Sequence, residues 1–226
     1  MKALVTGGAG FIGSNLVDQL IDDGNDVFIF DDLSSGKSEN INPKAWFDYQ
    51  VDISDVSPHV VAWMNTFVSD NDIDVIFHLA AKARVQPSIE DPIGFNETNV
   101  NGTLNLLKAA VDANVNRFVF TSSSSVYGDV HITPTDEYHI ADPLSPYGAQ
   151  KLIGEVYCKQ FYRTYGLRST CLRYFNVYGE RQLLEGAYSL VMGKFVQQRL
   201  NGEPMTIRGD GEQRRDFTYV GDVVKA

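Results

Sequence analysis

Short apolar runs alternate along the chain with longer segments in which apolar residues recur every three or four positions. The short runs predict β-strands, and the longer segments predict amphipathic helices. The predicted strands cover residues 3–6, 27–30, 49–53, 75–79, 118–121 and 169–173. The predicted helices cover residues 11–24, 59–68, 95–113 and 147–165. Because the strands are apolar rather than alternating, they indicate an α/β fold, a doubly wound parallel sheet with helices on both faces; another α/β layered fold is the alternative.

The pattern changes beyond residue 175, where glycines and charged residues become more frequent. A helix over residues 189–200 and a short strand over residues 205–207 are predicted there. We therefore expect one domain over residues 1–175 and the beginning of a smaller region over residues 176–226. The last five residues resemble the first turn of a helix without a cap or a polar tail. We expect this region to be truncated or to be completed by another element.

The 226 residues are 43% hydrophobic and 21% charged, the composition of an ordinary globular protein. No apolar run approaches the ~20 residues needed to cross a bilayer, and the first apolar run is too short for a signal peptide. We expect a cytoplasmic protein without a membrane partner. The formal net charge of -10 disfavours a nucleic-acid partner, which usually requires a basic face. Cys158 and Cys171 lack metal-type spacing, so no metal site is expected.

Three glycines, Gly7, Gly10 and Gly13, fall between the first predicted strand and the first predicted helix. Glycines there allow a tight turn, the approach of a diphosphate to the backbone, and close packing of the helix on the strand. The N–H groups of the helix N-terminus favour the negative charge of the diphosphate. A glycine motif alone is weak evidence, but this position indicates a dinucleotide site. The predicted cofactor contacts in this loop are Gly7, Gly10, Phe11, Ile12 and Gly13.

Two acids, Asp31 and Asp32, end the second predicted strand, where a carboxylate can bind a ribose 2′-hydroxyl. A carboxylate there repels a 2′-phosphate and favours NAD over NADP, although Lys37 in the following loop acts in the opposite direction. A polar turn after a strand is the alternative. The loop residues assigned to the same cofactor are Leu33, Ser34, Ser35 and Gly36. Asp52 and Ile53 are assigned to the adenine, with a plain strand end as an equal alternative.

Tyr147 and Lys151 are four residues apart, which places both on one face of a helix. Serines at 122–125 follow a predicted strand, and the ends of parallel strands face the ligand crevice. A tyrosine with a pKa of ~10 becomes a base near neutrality only with about 4 kcal/mol of preferential phenolate stabilisation. A lysine ammonium and a positive nicotinamide can supply it, while a serine positions the substrate hydroxyl. A surface Tyr–Lys pair is the alternative, which the serines and the glycine motif disfavour.

These motifs resemble those of the extended short-chain dehydrogenase/reductases, specifically the NAD-dependent epimerase/dehydratase group. The matching segments are VTGGAGFIG at 5–13, HLAA at 78–81, NVNGT at 99–103, SSSSVYG at 122–128, YGAQK at 147–151, LRYFNVYG at 172–179 and GDGEQRRDF at 209–217. They follow in order over essentially the whole chain, so the resemblance is specific at family level. It implies an NAD-binding Rossmann domain over residues 1–175 and part of a substrate-binding region over residues 176–226.

By this resemblance, Ser123, Tyr147 and Lys151 are the catalytic residues, with Tyr147 as the base and Lys151 as its partner, which also holds the nicotinamide ribose. The other implied cofactor contacts are Leu79, Ala80, Ala81, Lys82, Asn99, Ser122 and Phe175. The implied substrate contacts are Ser123, Tyr147, Asn176 and Arg215, the last pairing with the nucleotide diphosphate. His78 is interpreted as a packing residue at a strand end. The family also suggests a homodimer through the helices at 95–113 and 147–165.

The resemblance also limits which reactions are expected of this chain. A 4,6-dehydratase of this family carries an Asp-Glu pair where this chain has Ser124 and Ser125, so dehydration lacks its proton shuttle. The predicted function is NAD-dependent epimerisation at C4 of a nucleotide sugar through a transient 4-keto sugar, with UDP-glucose and UDP-galactose favoured. The alternatives are epimerisation of UDP-glucuronate or a UDP-N-acetylhexosamine, decarboxylation of UDP-glucuronate, or a truncated NAD-binding module with weak or no turnover. Two departures, Glu180 for a frequent proline and Gly221 for a frequent acid, are expected to be tolerated.

Overall fold

The computed structural model describes residues 1–47, 50–130, 132–183, 191–207 and 209–226. Its strands are β1 (Lys2–Thr6), β2 (Asp26–Phe30), β3 (Val75–His78), β4 (Arg117–Ser123), β5 (Ser169–Tyr174), β6 (Val177–Tyr178) and β7 (Thr218–Tyr219). Its α-helices are α1 (Phe11–Asp22), α2 (Pro58–Asp70), α3 (Val85–Glu90), α4 (Pro92–Asn96), α5 (Thr103–Asp112), α6 (Pro146–Tyr165), α7 (Val191–Leu200) and α8 (Val220–Val223). A π-helical segment, Glu97–Gly102, joins α4 to α5, and 3-10 turns cover Ser38–Asn40 and Ser124–Val126.

Five strands form one parallel sheet in the order β2-β1-β3-β4-β5. Helices α2, α5 and α6 cover one face around a core that includes Phe30, Ile76 and Phe118. Helix α1 covers the other face, where Leu16 and Val17 pack on β1 and β2. Since successive side chains of a strand point to opposite faces and both faces are covered, the central residues of β1, β2 and β3 are apolar. The predicted doubly wound parallel sheet is confirmed.

The strand predicted over residues 49–53 is wrong for its described part. Residues 50–53 form an irregular segment, and Tyr49 lies outside the described residues. The chain pairs with β2 at Trp46, through an isolated bridge. It then crosses the end of β2, where Val51 N donates to Asp31 O at 3.0 Å. Burial of Val51 in the core explains the apolar pattern without a strand.

The strand predicted over residues 205–207 is also wrong, because these residues bond to a helix instead of a neighbouring strand. Thr206 N donates to Gln198 Oε1 at 3.0 Å, and Gln198 Nε2 donates to the Thr206 hydroxyl at 2.7 Å. Gln198 belongs to α7, which corresponds to the helix predicted over residues 189–200. The first two residues of that prediction lie outside the described residues.

Helix α6 begins with residues suited to their positions. Ser145 caps it by accepting a hydrogen bond from Gly148 N at 3.1 Å, and Pro146 occupies the first helical position. The helix packs on β4. Tyr147 therefore lies in the first turn of a helix anchored to the sheet, and Lys151 lies one turn later.

The short strands β6 and β7 form a separate parallel ladder. Val177, Val220 and Val223 form a small buried cluster that packs against Phe11 and Ile12 at the start of α1. The segments after β5 thus cover the helix turn that follows the glycine loop. The boundary between residues 175 and 176 stays a prediction. No helix in the described ranges is long and apolar enough to cross a membrane.

Candidate active site

A cleft of about 550 Å3 lies at one edge of the sheet. Its walls come from the segments that directly follow β1, β2, β3 and β4, and from the first two turns of α6. Because parallel strands end at the same edge of a sheet, segments far apart in the sequence meet there. The cleft is therefore the place where the predicted cofactor and catalytic residues can act together.

The turn between β1 and α1 has space only for glycine at two positions. Gly7 has φ +73°, and a Cβ there would lie 2.8 Å from Ala80 N. A Cβ on Gly13 would lie 2.0 Å from Gly7 O, so the helix approaches the turn only without a side chain. Phe11 and Ile12, the first residues of α1, line the cleft. The helix N-terminus is thus presented to a negatively charged ligand such as a diphosphate.

The two acids after β2 lie in different environments. Asp31 is 6% exposed, and its carboxylate accepts hydrogen bonds from Ala9 N and Leu33 N, both at 2.9 Å. Burial raises the pKa of Asp31, although both hydrogen bonds oppose the shift. Asp32 is exposed and accepts hydrogen bonds from the backbone and hydroxyl of Ser34, at 2.9 and 2.6 Å. Asp31 therefore joins the glycine loop to the loop after β2, while Asp32 lies at the rim of the cleft.

Asn99 fixes the backbone of a cleft residue. It lies in the π-helical segment, and its side chain accepts from Lys82 N and donates to Lys82 O, both at 2.9 Å. Its amide also donates to Gln150 Oε1 at 2.9 Å, which joins the segment to α6. Lys82 lines the cleft. A π-helical turn redirects side chains locally and is frequent at functional sites.

His78 is a buried link between three elements. Its Nδ1 lies 2.8 Å from Thr6 Oγ1, and its Nε2 lies 2.9 Å from Thr103 Oγ1. Burial, helped by the charge of Lys151, lowers the pKa of His78 to about 3. A neutral ring held between two hydroxyls agrees with the interpretation of His78 as a packing residue.

The side chains of Tyr147 and Ser123 line the same cleft. Burial raises the pKa of Tyr147, while the neighbouring Ser123 hydroxyl and the positive charge of Arg84 oppose the shift. The tyrosine backbone is also fixed, because Tyr147 N donates to Ser88 Oγ at 3.1 Å. The phenol therefore stays protonated at neutral pH unless further positive charge enters the cleft.

Lys151 is 3% exposed, and its Nζ donates to Thr121 O at 2.9 Å. Burial lowers the pKa of Lys151 to about 8, so the ammonium is mostly charged at pH 7. The predicted shared face with Tyr147 is found, since both residues line the cleft. Among the described residues, however, the cation that opposes the raised pKa of Tyr147 is Arg84.

A charged network lies next to the predicted catalytic residue Ser123. Ser122 Oγ donates to Glu155 Oε1 at 2.5 Å, and Arg173 donates to both oxygens of Glu155, at 2.9 and 2.7 Å. The Arg173 guanidinium lies 4.6 Å from the centroid of the Tyr127 ring. These bonds join α6 to β4 and β5 next to Ser123. The hydroxyl of Ser122 thus contributes to packing.

Most of the predicted site residues line this one cleft. They are Gly7, Gly10, Phe11, Ile12, Gly13, Asp31, Asp32, Ser34, Ser35, Asp52, Ile53, Leu79, Ala80, Ala81, Lys82, Ser122, Ser123, Tyr147, Lys151 and Asn176. The predicted residues outside its wall are Leu33, Gly36, Asn99, Phe175 and Arg215. Gly36 packs closely against Asp31, which lines the cleft, and a Cβ at this position would lie 2.7 Å from Asp31 Oδ1. Phe175 packs near Tyr127, with ring centroids 6.1 Å apart, and Arg215 is exposed.

Sequence reasoning missed a second group of wall residues. They are Asn40, Val51, Ala83, Arg84, Val85, Thr98, Thr121, Tyr174, Val177, Arg181, Gln182 and Leu183. For two of them, the sequence position could have indicated the site. Thr121 directly precedes the serine cluster, and Arg84 lies two residues after the predicted cofactor loop at 79–82. Arg181 and Gln182 had none, because their position depends on the turn after β6.

Residues 3–226 match the model of a family described as the NAD dependent epimerase/dehydratase family. The chain belongs to this family. The UDP-glucose 4-epimerase of Mycolicibacterium smegmatis is 42% identical to it over 228 residues, covering 100% of this chain and 72% of that relative. The crystal structure of UDP-glucose 4-epimerase with UDP-glucose from Thermotoga maritima has a TM-score of 0.94 and 44% identity, covering 100% of this chain and 71% of that one. The UDP-N-acetylglucosamine 4-epimerase from Methanobrevibacter ruminantium M1, in complex with UDP-N-acetylmuramic acid, has a TM-score of 0.91 and 43% identity, covering 99% and 70% of the two chains.

This member of the epimerase/dehydratase family is an NAD-dependent sugar-modifying enzyme, and its cofactor is NAD, as the sequence predicts. The cleft fits that cofactor. It combines a glycine turn that a Cβ would fill with a buried acid after β2. It also holds an unused donor, since Gln182 Nε2 is buried without a hydrogen-bond partner among the described residues. Within the same ranges, no group of three His, Cys, Asp or Glu side chains is placed to hold a metal ion.

Proposed function

We propose that this enzyme inverts the configuration at C4 of a UDP-hexose, with UDP-glucose and UDP-galactose as the favoured pair. The observation that carries the proposal is that Ser123, Tyr147 and Lys151 line one cleft, where Lys151 Nζ is bonded to Thr121 O on the strand that ends at Ser123. Ser124 and Ser125 line the same cleft, and hydroxyls there support epimerisation over dehydration, which needs an acid and a base. The UDP-glucose 4-epimerases among the relatives support this choice of sugar.

Tyr147 is the proposed proton carrier. Its phenolic oxygen takes the proton of the sugar 4-hydroxyl and returns it when the 4-keto sugar is reduced from the other face. Ser123 hydrogen-bonds the same sugar oxygen and holds it at the phenol. When bound, NAD would supply the redox chemistry at C4, and its positive charge would favour the Tyr147 phenolate. Arg84 adds positive charge that favours the phenolate over the protonated form, and the buried ammonium of Lys151 lies in the same cleft.

We further propose that residues 176–226 hold the nucleotide diphosphate. Asn176 lines the cleft, and its Nδ2 donates to Asp216 O at 2.8 Å. This bond brings the segment before β7, which includes Arg215, to the mouth of the cleft. An arginine there suits a diphosphate, because its guanidinium can donate two parallel hydrogen bonds.

A second candidate substrate is UDP-glucuronate, for epimerisation or decarboxylation. The observation that favours it is Arg84, whose charge acts on Tyr147 from the wall of the cleft. A guanidinium close to the reacting end of the sugar can pair with a carboxylate at C6. A neutral hexose leaves that interaction unused, so the relative rates with the two substrates distinguish the candidates.

We also propose a homodimer formed through α5 and α6. Ile153 and Val156 lie three residues apart on α6 and are 39% and 53% exposed, so the helix presents an apolar stripe outward. Light scattering after gel filtration measures the mass directly. A single peak at twice the chain mass that falls to one chain mass in Val156→Glu supports the dimer; a monomer in the unmodified protein contradicts it.

The decisive experiment incubates the purified protein with UDP-galactose, without and with added NAD, and separates the products. We expect UDP-glucose to form, and we expect Tyr147→Phe to reduce the rate by about 10²- to 10⁴-fold, the range of a proton-transfer catalyst. Circular dichroism of Tyr147→Phe controls for folding. UDP-glucuronate and UDP-N-acetylglucosamine are tested in parallel.

Each result has a separate meaning. Turnover of UDP-glucuronate alone would replace the first candidate by the second. Equal turnover in Tyr147→Phe would remove Tyr147 from the mechanism. An absence of turnover with all three sugars and added NAD would favour an NAD-binding module that does not act alone.

A further inference from the structure

The turn after β6, residues 179–183, forms part of the cleft wall next to the cofactor loop. We call it the 179–183 turn. Gln182 N donates to Gly179 O at 3.3 Å, which closes the turn. Gly179 has φ +145°, and a Cβ there would lie 2.5 Å from Val220 Cγ1, so the turn packs tightly against α8. Arg181, Gln182 and Leu183 line the cleft.

Two contacts hold this turn to α1. Arg181 Nη2 lies 2.6 Å from Asp18 Oδ2 in an ion pair whose side chains are each one-third exposed. Asn15 Nδ2 donates to Glu180 O at 3.1 Å and to Phe11 O, in the first turn of α1, at 2.8 Å. The turn is thus attached to the same helix whose N-terminus faces the diphosphate.

Both carboxylate oxygens of Asp18 have a partner. Its Oδ1 accepts a hydrogen bond from Asn42 Nδ2 at 2.7 Å, in the loop after β2, while its Oδ2 pairs with Arg181. That loop also packs on the glycine turn, because Asn40 Nδ2 donates to Ala9 O at 3.0 Å. One carboxylate therefore joins the two segments that border the cofactor end of the cleft.

The backbone conformation of Arg181 indicates that its ion pair with Asp18 has a structural role. Arg181 has φ +65°, a left-handed conformation that is unfavourable for a residue with a side chain. Such a conformation persists where surrounding contacts determine it, and the bond to Asp18 is such a contact. The neighbouring Glu180 carboxylate is occupied by the Tyr219 hydroxyl, at 3.0 and 2.9 Å, and does not compete for the guanidinium.

We propose that the Arg181–Asp18 ion pair holds the 179–183 turn over the bound NAD and sets the rate at which the cofactor dissociates. The turn also directs the Gln182 amide, a buried donor without a partner among the described residues, into the cleft wall. NAD leaves only when the turn moves away from α1, and the ion pair resists that movement. The inference rests on NAD as the cofactor and is independent of which sugar the enzyme uses.

The test measures NAD release in the absence of any sugar. The protein is loaded with radiolabelled NAD, an excess of unlabelled NAD is added, and the label retained is followed over time by desalting. We expect Arg181→Met and Asp18→Asn each to release NAD about 3- to 10-fold faster, the range for a partly buried ion pair. The double variant should release it no faster than the faster single variant, because both changes break one interaction.

Two comparisons make the result specific. Lys108→Met removes the cation of an ion pair with Asp112 on α5, outside the cleft, and should leave the release rate unchanged. Salt should accelerate release from the unmodified protein and should have little effect on Arg181→Met, because a partly exposed pair is screened. The salt dependence of the unmodified protein remains a test even if one variant fails to fold.

Unchanged release in both single variants would overturn the proposal. Effects that add in the double variant would overturn it as well, since they would mean that the two side chains act separately. Faster release in Lys108→Met would show a general loss of stability instead of a local contact. None of these results depends on turnover, so a failure here is distinguishable from a failure of the proposed epimerase activity.

Discussion

The predicted site residues on the sheet and on α6 are fixed by secondary structure, whereas the predicted site residue Arg215, in the region after β5, is not. Tyr147 and Lys151 lie on a capped helix of 20 residues that packs on β4, and Lys151 is buried. Arg215 is exposed in a segment without helix or strand, and its Nη1 donates to the carbonyl of its neighbour Arg214 at 2.7 Å. The first set is positioned by the fold before any ligand arrives, whereas no helix or strand positions Arg215. Mutations in the first set should therefore change the rate or the stability, and mutations in the second should change substrate affinity.

After Tyr147→Phe, the largest effect is expected from Lys151→Met. It removes a buried ammonium from the cleft, so we expect the turnover number to fall by about 10²- to 10³-fold at pH 7 with little change in KM. The pKa of about 8 for Lys151 also fixes the sign of the pH dependence. As pH rises through that value, the ammonium loses its proton, so the rate of the unmodified enzyme should fall while that of Lys151→Met should not.

Turnover between pH 6.5 and 9.5 measures this difference, and thermal unfolding of both proteins controls for stability. A rate that keeps rising above pH 8 in the unmodified enzyme would mean that the charge of Lys151 is not required. Arg84, whose cation persists over this whole range, would then be the charge that supports Tyr147.

The same contrast explains how much of the molecule could be predicted from the sequence. The strands at the centre of the main sheet were predictable because most of their side chains are buried on both faces. The glycine loop and the serines were predictable because they follow strands, and the Tyr–Lys pair because of its helical spacing. The strand predicted at 49–53 failed because Val51 is buried by a loop, and burial alone produces the same apolar pattern.

Side-chain roles were less predictable than positions. Asp31 and Asp32 look alike in the sequence, but the backbone binds Asp31 inside the protein and leaves Asp32 at the rim. Asn99 was assigned to the cofactor, but its side-chain amide bonds to the backbone of Lys82 from a π-helical turn that the helical pattern did not predict. Arg181 enters the cleft through a turn whose geometry depends on α1 and α8, which no local pattern records.

A smaller effect, on stability alone, is expected from Gly13→Ala. The added Cβ would lie 2.0 Å from Gly7 O, which must move, so we expect a loss of about 3 kcal/mol in the free energy of unfolding. Gly10→Ala is the matched control: its Cβ would lie 3.2 Å from the same oxygen and its φ is -78°, so we expect less than about 1 kcal/mol.

Denaturant unfolding of the NAD-free proteins measures both values without a contribution from cofactor binding. Equal losses in the two variants would contradict the close approach of α1 to the turn. A loss in Gly13→Ala alone would confirm that the backbone of the cofactor loop is fixed by packing and not by the cofactor.

The smallest effect on the fold is expected from Arg215→Ala, which tests the proposed role of the region after β5 in binding the substrate. Its side chain is exposed, so the free energy of unfolding should change by no more than about 0.5 kcal/mol.

If its guanidinium binds the diphosphate, KM for the nucleotide sugar should rise by about 10-fold, since a hydrogen bond to a charged group contributes about 1.5 kcal/mol or more. The turnover number should stay within about 3-fold, because the interaction is equally strong in the ground state and the transition state. Arg214→Ala removes another exposed arginine one residue away and should leave KM unchanged. Equal increases in KM for both variants would mean that the segment attracts the substrate by its net charge. A fall in the turnover number of Arg215→Ala would mean that the segment around Arg215, like α6, is already in place when the substrate binds.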